Sequence, residues 1–583
     1  MYIDKINNPS DLKKLDIKEL PILADEIREL IISKVSERGG HLASNLGIVE
    51  LTMALHYVFD SPIDKIVYDV SHQTYSHKIL TGRKEAFACK EKYSTVTGFS
   101  NPDESEHDLF VLGHTSTSVS LACGFAKARD VKGSKENVIA VIGDASLDGG
   151  QAFEAINYAS ELKSNIIVVI NDNEMSIAEN YGALAKHLSD LRVSKGNVDN
   201  NFFEALGFEY YLVENGNSVE DIIDVFKKIK DADRPIVVHV CTKKGYGYKY
   251  AEEDKEKWHW ARPFDREKGE FLTSVPKENY GSIVSDYLLD KMKKDSKVVT
   301  IAASTPVCIG FDKEKRELAG AQYIDVGIAE QNGVTMAAAM AKAGCKPVFA
   351  TNATFIQRAY DQIVQEISIN KAPATLIVTH GSVFGHHNDT HIGLLDIPLL
   401  GNIPNLMYLA PTNKEEYIDM LDWSIEQKEL PVAIRVPWTG VTHADEAIDT
   451  DYSNIKYKIV SKGSKVCIIA LGGFFELGKR TADMIKKEIG VDVTLINPRY
   501  ITGVDKETLD WIKDNHEVVA TLEDGILSGG FGAKISQYYA DKNIKVCNFG
   551  FSMEIPRVYN PNELMKKNLL TEEQIMKEIL KNC

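Results

Sequence analysis

Two apolar stretches of the sequence each end in polar residues that could bind a metal ion. The run at residues 138–142 is followed closely by Asp144, and a second run, in the stretch NIIVVINDNEMS, is followed by Asn173. Carboxylate and amide oxygens suit Mg²⁺, which is typically shared with substrate phosphates. The small residues after Asp144, including Gly149-Gly150, would let backbone N–H groups approach an anion at a helix start. We therefore predict one magnesium–diphosphate site that contains Asp144 and Asn173.

The segment between the two runs has a helical pattern. Its apolar stripe consists of Ala152, Ala155, Ile156 and Ala159. A strand–helix–strand unit of this kind is parallel, so the carboxyl ends of both strands meet at one edge of the sheet, where ligands of open α/β sheets bind. The alternative is that Asp144 only caps the helix and that Asn173 is a turn residue.

Length and composition restrict the class of protein. The 583 residues exceed the size at which a single core stops growing, so several domains are expected. A formal net charge of −17 disfavours nucleic acid and anionic membranes as partners. Eight cysteines occur singly, as is typical of reduced thiols in the cytoplasm. The charged N-terminus lacks the apolar segment of a signal peptide, and no apolar run approaches the roughly 20 residues that span a bilayer, so we expect a cytoplasmic protein.

Strand-like runs alternate with helical patterns along almost the whole chain. This alternation predicts an α/β fold of three doubly wound domains, in which mostly parallel sheets carry helices on both faces. We place the domains at residues 1–265, 266–445 and 446–583. The polar segment at residues 251–281 is interpreted as a long irregular linker. An architecture of this kind does not by itself indicate an activity.

Several stretches of the sequence together resemble one enzyme family. They are GDAS (143–146), GGHLASNLGIVELTMALHYVFD (39–60), DVSHQTYSHKILTGR (69–83), LGHTSTSVS (112–120), VINDNEMSIAENYGAL (169–184), TKKGYGY (242–248), GIAEQNGV (327–334) and TFIQRAYDQ (354–362). Taken in chain order, and along nearly the whole chain, they resemble the 1-deoxy-D-xylulose-5-phosphate synthases, which are relatives of transketolase. The resemblance implies a thiamine-diphosphate-binding domain, a pyrimidine-binding domain and a C-terminal transketolase-like domain, a homodimer, and thiamine diphosphate with Mg²⁺ as cofactors.

The resemblance also assigns cofactor contacts to individual residues. Asp144, Asn173 and the backbone carbonyl of Met175 would bind Mg²⁺. Contacts to thiamine diphosphate are assigned to His72, Gly113, His114, Thr115, Ala145, Ser146, Asn173, Tyr248, Glu330 and Phe355.

Glu330 has a role that can also be argued from the chemistry of the cofactor. Thiamine diphosphate must lose a ring proton to its own aminopyrimidine, which requires a carboxyl group hydrogen-bonded to the pyrimidine in a dry site. Within GIAEQ, Glu330 stands just before a predicted helix at residues 334–341, so a surface position at a helix start is the alternative. Phe355 would stack on the pyrimidine, or else belong to the core.

The family's reaction is the decarboxylative condensation of pyruvate with D-glyceraldehyde 3-phosphate to 1-deoxy-D-xylulose 5-phosphate, a precursor of isoprenoids, thiamine and pyridoxal. The resemblance assigns catalytic roles to Glu330, His41, His72, Arg358 and His391. His41 would move protons on the bound intermediate. Arg358 would hold the donor carboxylate, for which its planar fork is well suited.

The sequence departs from the family pattern near the cofactor. GDG becomes Gly143-Asp144-Ala145, which adds one methyl group and is tolerable if φ is negative. GHQ becomes Ser71-His72-Gln73, and AEQH ends in Asn332 instead of histidine. The segment after residue 196 is shorter than in the family, so a mobile flap over the site is missing or truncated.

Further departures fall on the residues that the family uses to bind the acceptor. In THGSVFGHHNDTH (379–391), His380 replaces an arginine and His387 replaces an aspartate, while His391 remains. Trp438 replaces a second arginine. We expect a weaker grip on phosphate, because histidine keeps only part of the charge at neutral pH and tryptophan keeps none.

The sequence therefore leaves three functional hypotheses. The chain is a synthase of this family, or it transfers the same unit or a two-carbon ketol unit to a different aldehyde that need not be phosphorylated, or it is a non-catalytic binding protein. The presence of Asp144, Asn173, Glu330 and His41 argues against the third. The histidine-rich loop also has two interpretations, a metal site or a polar lining of the site mouth; its histidines are His380, His386, His387 and His391.

Overall fold

The structure of the protein is a computed structural model that describes residues 1–386, 388–444, 451–557 and 559–583. The chain divides into two compact units. Unit 1 comprises Met1–Val275 with Gly327–Ala329, and unit 2 comprises Pro276–Val326 with Glu330–Cys583. The domain boundary predicted at residues 445–446 lies outside the described residues, and the boundary predicted at residues 265–266 stays a prediction.

Unit 1 contains a five-stranded sheet in which every pairing is parallel. Its strands are β1 (Lys65–Tyr68), β2 (Val138–Gly143), β3 (Ile166–Asp172), β4 (Glu209–Val213) and β5 (Pro235–Cys241). They lie in the order β1-β2-β3-β5-β4. The apolar parts of β2 and β3, residues 138–142 and 166–170, are fully buried, as expected for a parallel sheet that is covered on both faces.

The longer helices of unit 1 cover this sheet. They are Leu20–Arg38, Val49–Val58, Ser118–Lys132, Gly150–Ala159, Ala183–Val193 and Val219–Ile229. The helix Gly150–Ala159 buries the predicted stripe, which consists of Ala152, Ala155, Ile156 and Ala159. The predicted strand–helix–strand unit around Asp144 is thereby confirmed, because β2 and β3 on either side of this helix pair in parallel.

Most of the segment interpreted as an irregular linker, residues 251–275, is instead a folded part of unit 1. Trp258 is only 1% exposed and packs its ring against Phe264 and Phe271. Two short antiparallel pairings follow the helix Lys249–Glu253; they join Gly40–His41 to Trp260–Ala261 and Phe264–Asp265 to Glu270–Phe271. The prediction was wrong because the polar composition of the segment hid one large aromatic anchor.

Unit 2 contains a second sheet, of six strands, in which every pairing is parallel. Its strands are β6 (Val298–Ala302), β7 (Tyr323–Asp325), β8 (Lys346–Asn352), β9 (Thr375–Thr379), β10 (Met407–Leu409) and β11 (Val432–Arg435). They lie in the order β7-β6-β8-β9-β11-β10.

A third sheet, of five strands, also belongs to unit 2. Its strands are β12 (Lys458–Ser461), β13 (Lys465–Ala470), β14 (Thr494–Asn497), β15 (His516–Ile526) and β16 (Lys545–Phe551), in the order β12-β14-β13-β15-β16. Only the edge strand β12 pairs antiparallel. The predicted α/β class with mostly parallel sheets is confirmed.

The longer helices of unit 2 alternate with its strands. They are Tyr280–Lys294, Lys313–Ala319, Glu330–Lys342, Lys414–Glu426, Phe475–Ile489, Lys506–Asn515, Phe531–Tyr539, Pro561–Lys567 and Glu572–Leu580. The last helix buries Ile575 and Ile579 one turn apart, as its amphipathic sequence predicts. In the part of the chain that the structure describes, no helix is both long enough and apolar enough to cross a bilayer.

A buried ion-pair network joins the second sheet to the third. Arg435, which ends β11, is 2% exposed and lies 2.6 Å from Asp396 and 2.5 Å from Asp524 of β15. The hydroxyl of Tyr408 donates a further hydrogen bond, of 2.6 Å, to Asp396. The two carboxylates share one guanidinium in a site without solvent, so removal of the arginine would leave both charges uncompensated.

We predict that Arg435→Met lowers the free energy of unfolding by about 3–5 kcal/mol, because it breaks a buried network on one side only. Denaturation in urea, followed by circular dichroism, measures the effect. The matched control is Arg480→Met, which removes an exposed ion pair with Glu572 and should have a much smaller effect. Equal losses in the two variants would contradict the prediction.

Candidate active site

Two carboxylates lie side by side at the carboxyl edge of the first sheet. In the parallel register Gly143 of β2 faces Asn171 of β3, which places Asp144 beside Asp172. Both side chains are buried, Asp144 at 4% exposure. Burial, and then the negative charge of Asp172, raise the pKa of Asp144 well above its usual range. Two acidic groups in this arrangement repel each other unless a cation lies between them.

Asp172 has its positive partners within unit 1. His239 contacts it at 2.8 Å and Arg192 at 2.6 Å. Burial opposes ionisation, but the hydrogen bond and charge of His239 and the charge of Arg192 lower the pKa of Asp172 to about 2. The negative charge of the pair is therefore compensated at Asp172, and Asp144 is the carboxylate that lacks an equally close cation among these groups.

Asp144 does not cap a helix. It stands before the single turn Ala145–Asp148, and its side chain makes no capping hydrogen bond. Its Oδ2 instead accepts a hydrogen bond of 2.8 Å from the side-chain amide of Asn180. The capping interpretation is therefore wrong. Ala145 lies in that turn and is not among the residues with positive φ, so its extra methyl group causes no backbone strain.

Asn173 presents a buried oxygen without a donor. Its Oδ1 is inaccessible to solvent and makes no hydrogen bond. A buried acceptor of this kind is costly unless something supplies positive charge or a proton. The uncompensated Asp144 and the orphaned Asn173 oxygen therefore fit a hard divalent cation such as Mg²⁺, which takes oxygen ligands. The third predicted ligand, Met175, lies two residues on, where its backbone bridges to Glu179.

Lys244 is a buried cation near this edge that the sequence did not single out. It is 2% exposed, and its ammonium donates a hydrogen bond to the backbone carbonyl of Ser176. Burial lowers the pKa of Lys244 to about 8, and the charge of Asp144 partly offsets the fall. The sequence identified the motif TKKGYGY, but it did not indicate that the second lysine of the motif, Lys244, is buried.

The loop that carries Gly113, His114 and Thr115 is anchored by Asp69. The carboxylate of Asp69 accepts hydrogen bonds from the backbone N–H groups of Ser116, Thr117 and Ser118 at 2.8–2.9 Å, at the start of the helix Ser118–Lys132. The hydroxyl of Ser116 in turn donates to the carbonyl of Ser146 at 2.8 Å. The loop and the Ala145-Ser146 turn are therefore held together, as the assignment of both to one cofactor requires.

Three histidine rings meet in unit 1. The ring centroids of His41 and His72 are 4.9 Å apart, and His259 lies 5.6 Å from the first and 5.4 Å from the second. The side chain of Asn45 fixes the two loops, because its amide donates to the carbonyls of both His41 and His72 at 2.8–2.9 Å. His41 and His72 were predicted as a pair of site residues, whereas Asn45 and His259 were missed.

His259 and Tyr248 differ in their relation to this cluster. Burial, and then the charges of Lys244 and the other two histidines, hold the pKa of His259 well below its usual range, so it is a neutral ring. The hydroxyl of Tyr248 donates a hydrogen bond of 3.1 Å to the backbone carbonyl of Arg266, and its ring packs against Trp258. None of these partners belongs to the predicted site, and the assignment of Tyr248 to the cofactor stays a prediction.

Glu330 in unit 2 is a buried acid. It is the first residue of the helix Glu330–Lys342 and only 4% exposed, so the alternative of a surface position is wrong. Burial raises the pKa of Glu330, and the guanidinium of Arg358, 3.7 Å away, partly offsets the rise. A carboxyl group held in this way keeps its proton to a higher pH and can donate a hydrogen bond.

Arg358 and Phe355 lie on the turn that follows β8. The edge of the Phe355 ring meets His391 at a centroid distance of 5.5 Å. The imidazole of His391 is held by the side chains of Thr390, at 2.8 Å, and Asn388, at 3.2 Å. The structure therefore brings Glu330, Arg358, Phe355 and His391 into one chain of contacts at the carboxyl edge of the second sheet.

The rings of His380, His386 and Trp438 continue this chain. His386 lies 5.5 Å from His391 and stacks in parallel on His380, with ring centroids 4.5 Å apart. Trp438 packs on His380 at 3.8 Å. Predicted site residue His387 lies outside the described residues.

The metal interpretation of these histidines gains no support. Among the described residues, the His, Cys, Asp and Glu side chains whose ligand atoms converge, within 4.8 Å of one another, are Asp172, His239 and Cys241. His380, His386 and His391 form no such group. In the converging group Asp172 is already paired with Arg192, so a guanidinium compensates its charge.

Family models match three parts of the chain. The model described as 1-deoxy-D-xylulose-5-phosphate synthase matches residues 3–199 and 192–242, the transketolase pyrimidine-binding domain matches residues 278–441, and the transketolase C-terminal domain matches residues 456–575.

Curated relatives match the chain over its length. A 1-deoxy-D-xylulose-5-phosphate synthase of Caldanaerobacter subterraneus subsp. tengcongensis is 39% identical, over 99% of this chain and 98% of its own. The enzyme of that name from Clostridium beijerinckii is 38% identical, over 99% of both chains. Among solved structures, transketolase from Campylobacter jejuni aligns with 97% of this chain and all of its own, at 17% identity and a TM-score of 0.44.

We predict that Asp144→Asn raises the midpoint of thermal unfolding of the ligand-free protein by a few degrees. The substitution removes one of two adjacent buried carboxylates while it keeps an oxygen for the Asn180 amide. Differential scanning fluorimetry measures the midpoint. The exposed Asp199→Asn serves as the control and should leave it unchanged. A lower midpoint for Asp144→Asn would show that the carboxylate is compensated without a ligand.

Proposed function

We propose a reaction for this chain, which belongs to the 1-deoxy-D-xylulose-5-phosphate synthase family. Members of this family are transferases that use thiamine diphosphate. In the proposed reaction, pyruvate and D-glyceraldehyde 3-phosphate give 1-deoxy-D-xylulose 5-phosphate and CO₂. The single observation that carries the proposal is the buried Glu330 carboxyl beside Arg358, because an acid kept dry in this way has no structural need to be there.

The proposed reaction balances with one proton. The bond between the carboxylate and the carbonyl carbon of pyruvate breaks, and CO₂ leaves. The electron pair of that bond ends in a new carbon–carbon bond to the aldehyde carbon of the acceptor. The aldehyde oxygen takes one proton and becomes the hydroxyl group of the product, a 1-deoxy ketose.

Unit 1 supplies the groups that would hold the diphosphate and its metal ion. Asp144, Asn173 and the carbonyl of Met175 would bind Mg²⁺, and the fit rests on the uncompensated carboxylate and the orphaned amide oxygen. The contacts to the diphosphate would come from His72, Gly113, His114, Thr115, Ala145 and Ser146. Asp69 would act indirectly, since it fixes the backbone N–H groups at the end of that loop.

Unit 2 supplies the acid. When bound, thiamine diphosphate supplies an electron sink for the electron pair that CO₂ leaves behind. Glu330 would donate a hydrogen bond from its protonated carboxyl to the pyrimidine ring, which its raised pKa favours. Phe355 would offer its ring face to the same pyrimidine.

The donor and the proton are handled by basic side chains. Arg358 would orient the pyruvate carboxylate with its planar, two-pronged guanidinium. His41, His72 and His391 would move the proton that ends on the product hydroxyl. The histidine cluster of unit 1 is suited to this, because the neighbouring rings are close enough to affect each other's protonation.

We also propose that the chain works as a homodimer in the cytoplasm, on small-molecule substrates. The eight cysteines are all free, which supports a reducing compartment. The domains would be a diphosphate-binding domain at residues 1–265, a pyrimidine-binding domain at 266–445 and a C-terminal domain at 446–583.

We predict that Glu330→Gln lowers kcat roughly 100-fold or more, because the amide cannot exchange a proton as the acid does. CO₂ release from pyruvate in the presence of D-glyceraldehyde 3-phosphate measures the rate. The exposed Glu314→Gln is the matched control and should keep the activity of the unmodified protein. A Glu330→Gln variant with undiminished kcat would contradict the assigned role.

We predict that Asn173→Ala abolishes most of the thermal stabilisation given by thiamine diphosphate with Mg²⁺. The variant removes a predicted ligand oxygen that accepts no hydrogen bond among the described residues. Unfolding midpoints with and without the cofactors, and with the chelator EDTA, measure the effect. The exposed Asn200→Ala should keep the full shift. An equal shift in both variants would remove Asn173 from the metal site.

A further inference from the structure

The far end of the acceptor site has an unusual chemical lining. We name the set His380, His386, His391 and Trp438 the imidazole–indole wall. Its rings are in continuous contact, from Phe355 through His391, His386 and His380 to Trp438, at centroid distances of 3.8–5.5 Å. Phe355, which contacts the His391 end of the wall, is three residues before Arg358 of the proposed donor site. The wall therefore begins next to that site.

The wall is built on three adjacent strands of the second sheet. Asn352 ends β8, Thr379 ends β9 just before His380, and Trp438 follows Arg435 at the end of β11. These strands lie side by side in the order β8-β9-β11. The wall therefore stands at the carboxyl edge of the sheet, which is where ligands of such sheets bind.

Hydrogen bonds fix the orientation of the His380 ring. Its Nδ1 lies 2.9 Å from the hydroxyl of Thr379, which itself donates to the Oδ1 of Asn352 at 2.9 Å. A hydroxyl that already donates its only proton can only accept, so Nδ1 of His380 carries the hydrogen. In the neutral ring the other nitrogen, Nε2, is then a bare acceptor.

The charge of His380 is suppressed by its surroundings. Burial, and then the proximity of His386 and His391, hold the pKa of His380 well below its usual range. The ring is therefore neutral at physiological pH. A phosphate dianion has only acceptor oxygens, and neither a bare imidazole nitrogen nor an indole face compensates its charge.

We propose that the imidazole–indole wall receives the far end of the acceptor without recognising phosphate, so that the kcat/KM of this chain for uncharged hydroxyaldehydes lies within about 10-fold of that for phosphorylated ones. The C–H face of such an acceptor packs on Trp438, and its hydroxyl groups donate to imidazole nitrogens. The proposal rests on the proposed function, since the two-carbon unit from pyruvate is transferred as before and only the acceptor changes. With D-glyceraldehyde the products are CO₂ and 1-deoxy-D-xylulose, again with one proton taken up by the aldehyde oxygen.

The experiment compares two acceptors that differ only in phosphate. CO₂ release from pyruvate is measured on the holoenzyme, with D-glyceraldehyde or D-glyceraldehyde 3-phosphate varied. Two charge-assisted phosphate contacts would favour the phosphorylated acceptor by about 100-fold or more in kcat/KM. We expect a preference below about 10-fold, and a larger preference would overturn the proposal.

A binding measurement separates this proposal from the proposed function. The unreactive products 1-deoxy-D-xylulose and 1-deoxy-D-xylulose 5-phosphate are titrated calorimetrically into the holoenzyme. If neither aldehyde supports CO₂ release, the proposed function fails. The ratio of the two dissociation constants still tests whether the wall recognises phosphate. A phosphorylated product that binds more than about 10-fold tighter would overturn the proposal.

We predict that Trp438→Arg creates a preference for phosphate. Trp438 is half-buried, so the longer charged side chain can reach solvent, and we expect the kcat/KM ratio of phosphorylated to unphosphorylated acceptor to rise about 10-fold or more, mainly through KM. The matched control Trp511→Arg, in the third sheet's helix Lys506–Asn515, should leave the ratio unchanged. Trp438→Lys is the second variant, in case the first does not fold.

Two outcomes of the variant experiment would overturn the proposal. One is an unchanged ratio in a folded Trp438→Arg or Trp438→Lys protein. The other is a strong phosphate preference of the unmodified protein that Arg557→Ala abolishes. Arg557 lies two residues before Tyr559, whose hydroxyl donates to the carbonyl of His386 at 2.7 Å, so that result would place a phosphate grip on the C-terminal segment instead of the wall.

Discussion

The repulsion between two buried carboxylates is the constraint on which the candidate metal site of unit 1 depends. Parallel pairing of β2 with β3 places Asp144 and Asp172 next to each other, and both side chains are buried. His239 and Arg192 compensate the negative charge of Asp172. Burial and the negative charge of Asp172 instead raise the pKa of Asp144, and a divalent cation at this edge of the sheet would favour its ionised form. The ligand-free protein therefore keeps a locally unfavourable pair of carboxylates, and a bound cation would relieve the repulsion between them.

Burial has the same effect on the acid of unit 2. Glu330 is buried beside one arginine, which only partly offsets the rise, so its carboxyl keeps its proton to a higher pH than an exposed glutamate does. At the same edge of the second sheet, burial and then the nearby His386 and His391 lower the pKa of His380. Burial therefore favours the neutral form of both acids and of the histidine.

Much of this could be predicted from the sequence, because apolar runs of fixed length identify buried parallel strands. The stripe Ala152–Ala159, the strand ends at Asp144 and Asn173, and the helix after Glu330 were all predicted. The half-buried edge strand β4 and the antiparallel β12 were not, since neither is a continuous apolar run. Asp69 and Asn45 were missed because their partners are backbone groups, which leave no pattern in residue types. The actual partner of Asp144 is Asn180, which only tertiary structure reveals.

The pairing of Gly40–His41 with Trp260–Ala261 has a consequence for how such a chain could be divided between genes. The strand that holds His41 in place is supplied by the polypeptide more than 200 positions later, and Trp258 secures it in the core. A break that yields two separately encoded subunits would therefore have to fall beyond Phe271, where the last short pairing of this region ends. An earlier break would separate His41 from the strand that supports it.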